Sequence, residues 1–237
     1  MNQPALLALA GFSLILAVGG SWFKAEAKQK GLWPKFEEQW WYATARFFYF
    51  VGLPYLAVIS GFLAPRWLGL KGLENITGLA ELQKGLTLWG LELFVDAGPV
   101  MWPGLMALGL LIGIRLALAQ KMSSLTPTFS QLLIQIGYDG LHWAFYRAIF
   151  WRITGDLYLG VVYGVMLMLA EWSLSAWVQG HHPFRDQKQL ARQIILILTA
   201  TLFFHSPNLW VTWCWHGLML AIVNAPLPQL LARPKSF

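Results

Sequence analysis

Long apolar runs, broken by short polar stretches, set the pattern of this chain. A helix needs about 20 apolar residues to cross a bilayer core, and seven stretches approach that length. The first covers residues 4–22. The second covers roughly 42–63, opened by "QWWYATARFF" and stopped by Pro65. The third is 100–118, the fourth 129–151 and the fifth 157–178. The sixth, about 190–205, is short enough to predict a tilted or partial helix. The seventh, about 209–224, follows Ser206 and Pro207. Residues 66–98 are mixed, with helical spacing but also Glu74, Glu81, Glu92 and Asp96. They predict an amphipathic or partly embedded connection. "QGHHPFRDQKQ" predicts a polar loop. No repeat, linker or low-complexity tract divides the chain, so residues 1–237 are expected to form a single membrane domain. The predicted fold is all-α: a polytopic membrane helix bundle of about six to eight transmembrane helices around a polar cavity.

Composition strengthens that expectation. Charged residues make up 12% of the chain and hydrophobic ones 57%, whereas a soluble domain carries about 25% charged residues. The 14 tryptophans suit a membrane interface, where the indole is half apolar and its N–H finds water. The net charge is +6, with the basic residues mainly in short loops. Topology and anionic lipid account for them better than nucleic acid, which is not an expected partner. Seven crossings with the N-terminus outside put Lys24, Lys28, Lys30, Lys35, Arg115, Lys121, Arg185, Lys188, Arg192, Arg233 and Lys235 on the cytoplasmic side. Arg66, Lys71, Lys84 and Arg152 then lie opposite, with most loop acids. The single cysteine, Cys214, excludes an internal disulfide. The first segment lacks a basic stretch before it and predicts a retained helix rather than a cleaved signal.

The fourth segment carries the polar groups that need an explanation. At 100° per residue, Gln131, Gln135, Asp139, His142 and Tyr146 fall within about 80° of one another. Lipid cannot satisfy such a stripe, so it must face other helices or a wet cavity. Two roles are open: a hydrogen-bonded seam between helices, or the wall of a polar site. Arg147 lies off the stripe near the membrane boundary, placed to snorkel or to pair with an acid. Glu171 ends the run "GVVYGVMLMLAEW". His216 sits deep in the seventh segment, with Thr212 and Asn224 on roughly the same face. His181, His182 and His205 look like loop or boundary residues. No metal-ligand spacing, G-x-S-x-G turn or phosphate loop is present. No cofactor or metal is expected from motifs, while a bound pigment or lipid stays open.

"SPNLWVTWCWHGLML" resembles the last motif of the CPBP (Abi) family, the CAAX-processing and bacteriocin-processing membrane proteins. In that family a "tGNLW" turn leads into a helix bearing "HxxxN". "HWAFYRAIF" is similar to the family's first motif, "EExxFRG", and "LMLAE" stands where the family has "FxxxH". "RFFYFVGLPYLAVISGFLAPRWLGLKGL" resembles its N-terminal half. The likeness covers about residues 40–225, with the motifs in order at 142, 171 and 216. It implies a helix bundle around an internal polar site. In active members a Glu activates water, and His and Asn residues line the site. The best-known reaction is proteolysis near a C-terminal isoprenylated Cys.

Carried over position by position, the likeness is degenerate. His142 and Trp143 stand in place of the Glu pair, and Arg147 matches the motif's Arg. Glu171 replaces the His of the second motif, His216 matches the last motif's His, and Leu220 replaces its Asn. The usual general base is gone, as is one donor to a developing oxyanion. The exchange of Glu for His at 142 and of His for Glu at 171 is reciprocal, so a His–Glu pair across two helices is still expected. Asp139, one turn before His142, is placed to orient its imidazole. Candidate site residues are thus His142, Glu171 and His216, supported by Asp139, Tyr146, Arg147 and Asn224.

The favoured expectation is a non-catalytic member of this type. It would bind a membrane-protein partner, lipid or pigment in a bacterial plasma membrane or a photosynthetic internal membrane. The alternative is an active intramembrane peptidase using the rearranged set. A small transporter or channel is the third possibility, disfavoured by the lack of an internal repeat.

Overall fold

The computed structural model describes residues 3–72, 82–118, 129–180 and 187–224. Expectations for Glu74, Glu81, Lys121, His181, His182, Arg185, Arg233 and Lys235 lie outside these residues, as does the side chain of Lys188. All regular structure among the described residues is helical: α1 (Gln3–Gln29), α2 (Trp33–Glu37), α3 (Trp40–Phe47), α4 (Leu53–Ile59), α5 (Leu82–Leu118), α6 (Phe129–Thr154), α7 (Leu157–Val178), α8 (Gln187–His205) and α9 (Leu209–Asn224). A π-helical turn, Phe48–Gly52, joins α3 to α4, and a 3₁₀ turn covers Pro65–Leu68. The fold is an all-α bundle. Among the described residues, four stretches are long and apolar enough to cross a membrane: α1, the continuous Trp40–Ile59 run, α5 and α7. Their large apolar side chains face outward, as at Ile15, Phe94, Trp102 and Met106. This is the surface of a membrane protein, since a soluble chain would not leave so much apolar area in water.

Two boundaries differ from the sequence pattern. The second segment ends at Ile59 rather than near residue 63. Gly61 closes it with φ +74°, a left-handed conformation that glycine adopts without a Cβ clash. The Leu63 N–H then reaches back to the Ala57 carbonyl at 2.9 Å and the Gly61 N–H to that of Val58 at 3.0 Å, which satisfies two of the helix's last carbonyls. Residues 82–98 are not a separate connection. They continue into the third segment as one helix of 37 residues, with Pro99 and Pro103 inside it. Asp96 does not break the helix because it is matched from outside: Lys71 Nζ lies 3.2 Å away and Asn208 Nδ2 2.8 Å away.

α6 is the central element, and contacts α1, α4, α7 and α9 as well as both short turns. Its partner α7 follows after Gly155 and Asp156. Gly155, at φ +70°, donates to the Trp151 carbonyl at 2.8 Å and ends α6. The Asp156 carboxylate accepts from the Leu159 N–H at 3.0 Å and starts α7. The two helices therefore return antiparallel. Gly160 and Gly164 on α7 face α6 so closely that a Cβ at Gly164 would stand 2.8 Å from the Arg147 Cα, and one at Gly160 2.7 Å from the Trp151 Cα. This is the small-xxx-small packing of membrane helices. α9 also runs antiparallel to α6: Gly140 meets Trp213, and Ile136 meets Gly217. A second apolar cluster joins α5, α8 and α9 through Val100, Leu111, Ile195, Leu202 and Met219.

Candidate functional site

The α6–α7 register sets the site. Seven residues after Gly164, two helical turns along the same face, α7 places Glu171 opposite His142. His142 Nε2 lies 3.0 Å from Glu171 Oε2. The Tyr146 hydroxyl donates to the same carboxylate oxygen at 2.6 Å and lies 3.0 Å from Ser13 Oγ on α1. Tyr146 has one proton, and the shorter bond assigns it to Glu171, so the Ser13 hydroxyl is the donor in the other contact. Tyr49, on the π-helical turn, puts its hydroxyl 2.9 Å from His142 Nε2. The turn itself follows from Pro54, which has no N–H to give the Phe50 carbonyl and crowds it. The ladder widens there, with the Leu53 N–H bonding the Phe48 carbonyl. Ser13, His142 and Tyr146 are fully buried and Glu171 nearly so. The predicted His–Glu pair is thus present, inside a five-residue network drawn from α1, the π turn, α6 and α7.

The predicted stripe does not act as one unit. Gln131 and Gln135 line an open groove of about 320 Å³ with Arg46, Phe50, Tyr138 and Arg192. Asp139 does not orient His142. Its carboxylate takes both Nε and Nη2 of Arg192 on α8, the Nε bond being 3.0 Å. The Arg192 guanidinium also lies 4.2 Å from the Trp172 ring centroid. Arg147 does not snorkel, and it pairs with no acid among the described residues. It is wholly buried, donates from Nη2 to the Leu68 carbonyl at 2.6 Å, and lies 3.4 Å from the Phe203 ring centroid. It clamps the 3₁₀ turn to the bundle, and Leu209 N–H binds the Gly69 carbonyl beside it at 2.8 Å.

His216 belongs to a different cluster. Its Nδ1 lies 3.1 Å from Thr199 Oγ1, and it shares a closed cavity with Asp139, Trp143, Met168, Trp172 and Thr212. That cavity admits only about 10 Å³ to a water-sized sphere, roughly the space one water needs. Around His216 the interior is therefore packed, whereas Asp139 and Arg192 also line the open groove with Gln131 and Gln135. Thr212 bonds the Asn208 carbonyl at 3.1 Å. Asn224 does not join either cluster, for its amide donates to the Leu220 carbonyl of its own helix at 2.8 Å. Among the described residues, no three His, Cys, Asp or Glu side chains are grouped to hold a metal ion.

Tyr49, Ser13, Arg192 and Thr199 are the site residues that sequence patterning misses. Ser13 carries a weak signal as a hydroxyl midway along an apolar span. Tyr49 is hidden in an aromatic run, and Arg192 reads equally well as a cytoplasmic topology charge.

The Asp139–Arg192 pair joins α6 to α8, and Asp139→Leu should lower thermal stability by about 1–3 kcal/mol, the penalty for a polar partner left unpaired. Arg192 is one-third exposed, so water recovers part of its solvation and the low end of that range is expected. Arg192→Met should act in the same direction, with the double variant less destabilised than the sum. Tryptophan-fluorescence melts in detergent would measure all three. Wild-type melting in both single variants would show the pair to be idle.

No family model, curated protein or solved structure matches this chain.

Proposed function

We propose that this chain is a CPBP-like integral membrane protein that does not cleave peptides. It acts instead by binding a membrane-embedded partner, lipid or pigment in a scaffold, assembly or regulatory role. A bacterial plasma membrane or a photosynthetic internal membrane is the proposed location. The observation that carries this is the state of Glu171. As a general base it would need to reach water and a scissile carbonyl together. Its Oε2 is instead engaged by Tyr146 and His142 at 2.6 and 3.0 Å. Glu171 is only 4% exposed, which leaves little access for water or a peptide. Leu220, where the resemblance calls for Asn, offers no hydrogen bond to an oxyanion, a loss worth about 10²–10³ in rate elsewhere.

One contact favours the second possibility, an active CAAX-type endopeptidase with a rearranged His142, Glu171 and His216 set. The His142–Glu171 hydrogen bond at 3.0 Å is an acid–base pair in a low-dielectric setting. Against it, His216 is held by Thr199 in a separate cluster.

Incubating the detergent-solubilised protein with prenylated and unprenylated peptides separates the two. No cleavage is expected, together with co-purification of a membrane component. Cleavage by the wild type that Glu171→Gln and His216→Ala both abolish would establish the peptidase.

A further inference from the structure

A second concave region lies at the end of the bundle where α6 turns into α7 and α8 into α9. It is an open groove of about 520 Å³. One wall carries Arg66 and Lys71, on the segment after α4. The opposite wall is α5, where Leu91 and Val95 are exposed on the helix's outward apolar face. Gly72, at φ +82°, holds this wall close to α5: a Cβ there would stand 3.1 Å from Glu92 Oε2.

Charge and aromatic content point the same way. Arg66 and Lys71 line the groove with Glu92 and Asp96, two cations to two carboxylates, and Arg66 is exposed with no ion pair among the described residues. The charge of Asp96 is already met by Lys71 and Asn208 at 3.2 and 2.8 Å. Arg66 and Arg152 each place a guanidinium 5.5 Å from the Trp67 ring centroid. Trp67 meets Trp151 edge-to-face at 4.8 Å, and Trp89 meets Trp210 in the same way at 5.7 Å. Tryptophans concentrated at one end of a membrane bundle mark the headgroup level.

We propose that this groove is a glycerophospholipid site. The phosphate lies between Arg66 and Lys71, the glycerol backbone sits beside Trp67 and Trp151, and one acyl chain runs along Leu91 and Val95. The groove is amphipathic in the order a phospholipid requires: cationic at the bundle end, aromatic next, then apolar and continuous with the lipid-facing side of α5. A soluble anion would gain nothing from the apolar wall. The proposal does not depend on whether the buried His142–Glu171 network is catalytic.

Native mass spectrometry of the delipidated full-length protein, titrated with phosphatidylglycerol, tests it. A saturable adduct is expected. Arg66→Gln with Lys71→Gln should weaken it about tenfold, as expected for losing charge-assisted contacts to phosphate. Leu91→Gln with Val95→Gln should also weaken it, while Arg46→Gln at the other end of the bundle should not. Should the double variant fail to fold, Arg66→Glu alone, on an exposed side chain, serves as the charge test. Equal affinity in the Arg66 variants would overturn the proposal. So would dioleoylglycerol binding as tightly as phosphatidylglycerol, or sn-glycerol 3-phosphate displacing it at equal concentration. A membrane-protein complex that forms without lipid and is lost in the same variants would assign the groove to that partner instead.

Discussion

Replacing Glu171 with leucine is expected to destabilise the bundle by about 3–5 kcal/mol, the range for removing one partner of a buried pair. The substitution takes away the acceptor that meets both His142 Nε2 and the Tyr146 hydroxyl. Both side chains have no exposed surface, so water cannot replace the lost contacts without the helices parting. Glu171→Gln keeps a carbonyl oxygen at the same place and should lose only about 1 kcal/mol, the net worth of weaker neutral hydrogen bonds. His142→Leu should again be strongly destabilising, because it leaves the buried carboxylate oxygen with the Tyr146 hydroxyl alone. The double variant His142→Leu, Glu171→Leu should recover much of the loss, since replacing both partners with apolar groups is often close to neutral. Unfolding in detergent followed by tryptophan fluorescence would show the order: Gln mildest, double variant intermediate, Leu worst. A Glu171→Leu protein that melts with the wild type would mean the network contributes nothing to the fold.

That order also bears on function. A network that stabilises the bundle but is not needed for partner binding would leave the double variant stable and active in co-purification. A network that shapes the partner's site would leave it stable and inactive. Folding and binding are separable here because the groups that hold α1, α6 and α7 together are buried, whereas the two grooves at the ends of the bundle are open.

Much of this architecture is legible in the sequence because local signals coincide with apolar runs. α7 spans Leu157–Val178 as its pattern predicts, since Gly155 and Asp156 mark one helix's end and the next one's start. α9 spans Leu209–Asn224 for a similar reason: the Asn208 side chain accepts from the Trp210 N–H at 3.0 Å. The pattern misreads α5 because Glu92 and Asp96 lower the local hydropathy. Asp96's partners, Lys71 and Asn208, lie 25 and 112 residues away in sequence, beyond any window that reads periodicity. The site follows the same division. His142 and Glu171, which the sequence reading pairs, stand 3.0 Å apart. Helical angle alone places Asp139 beside His142, yet a cation on another helix claims it. Arg147 reads as a boundary residue because nothing in a sequence shows that a backbone carbonyl, that of Leu68, will accept from it in the interior.

The α6–α7 glycines carry the second large effect. Gly164→Leu should lower stability by more than about 3 kcal/mol, at or beyond the upper end of the usual overpacking penalty. The atoms in the way at Gly164 are the Arg147 backbone N and Cα, each 2.8 Å from the added Cβ. Backbone cannot rotate aside as a flexible side chain can, so α7 must shift as a body. Any such shift carries Glu171, two turns further along, away from His142, and the buried pair is lost with the packing. Gly160→Leu meets the Trp151 backbone in the same way and should behave alike. Gly109→Ala and Gly113→Ala on α5 are the matched controls. A Cβ at either would meet nothing within 4 Å, and alanine favours the helix by about 1 kcal/mol over glycine. Those variants should melt at or above the wild-type temperature. Thiol crosslinking in a protein carrying His142→Cys and Glu171→Cys, with Cys214→Ser, would report the register directly, because the two positions face each other only when α7 sits close. Adding Gly164→Leu to that protein should abolish the crosslink. Efficient crosslinking there, with unchanged melting of Gly164→Leu alone, would show that the glycines do not set the register. Loss of both would show that close backbone approach, rather than the polar network alone, holds Glu171 against His142.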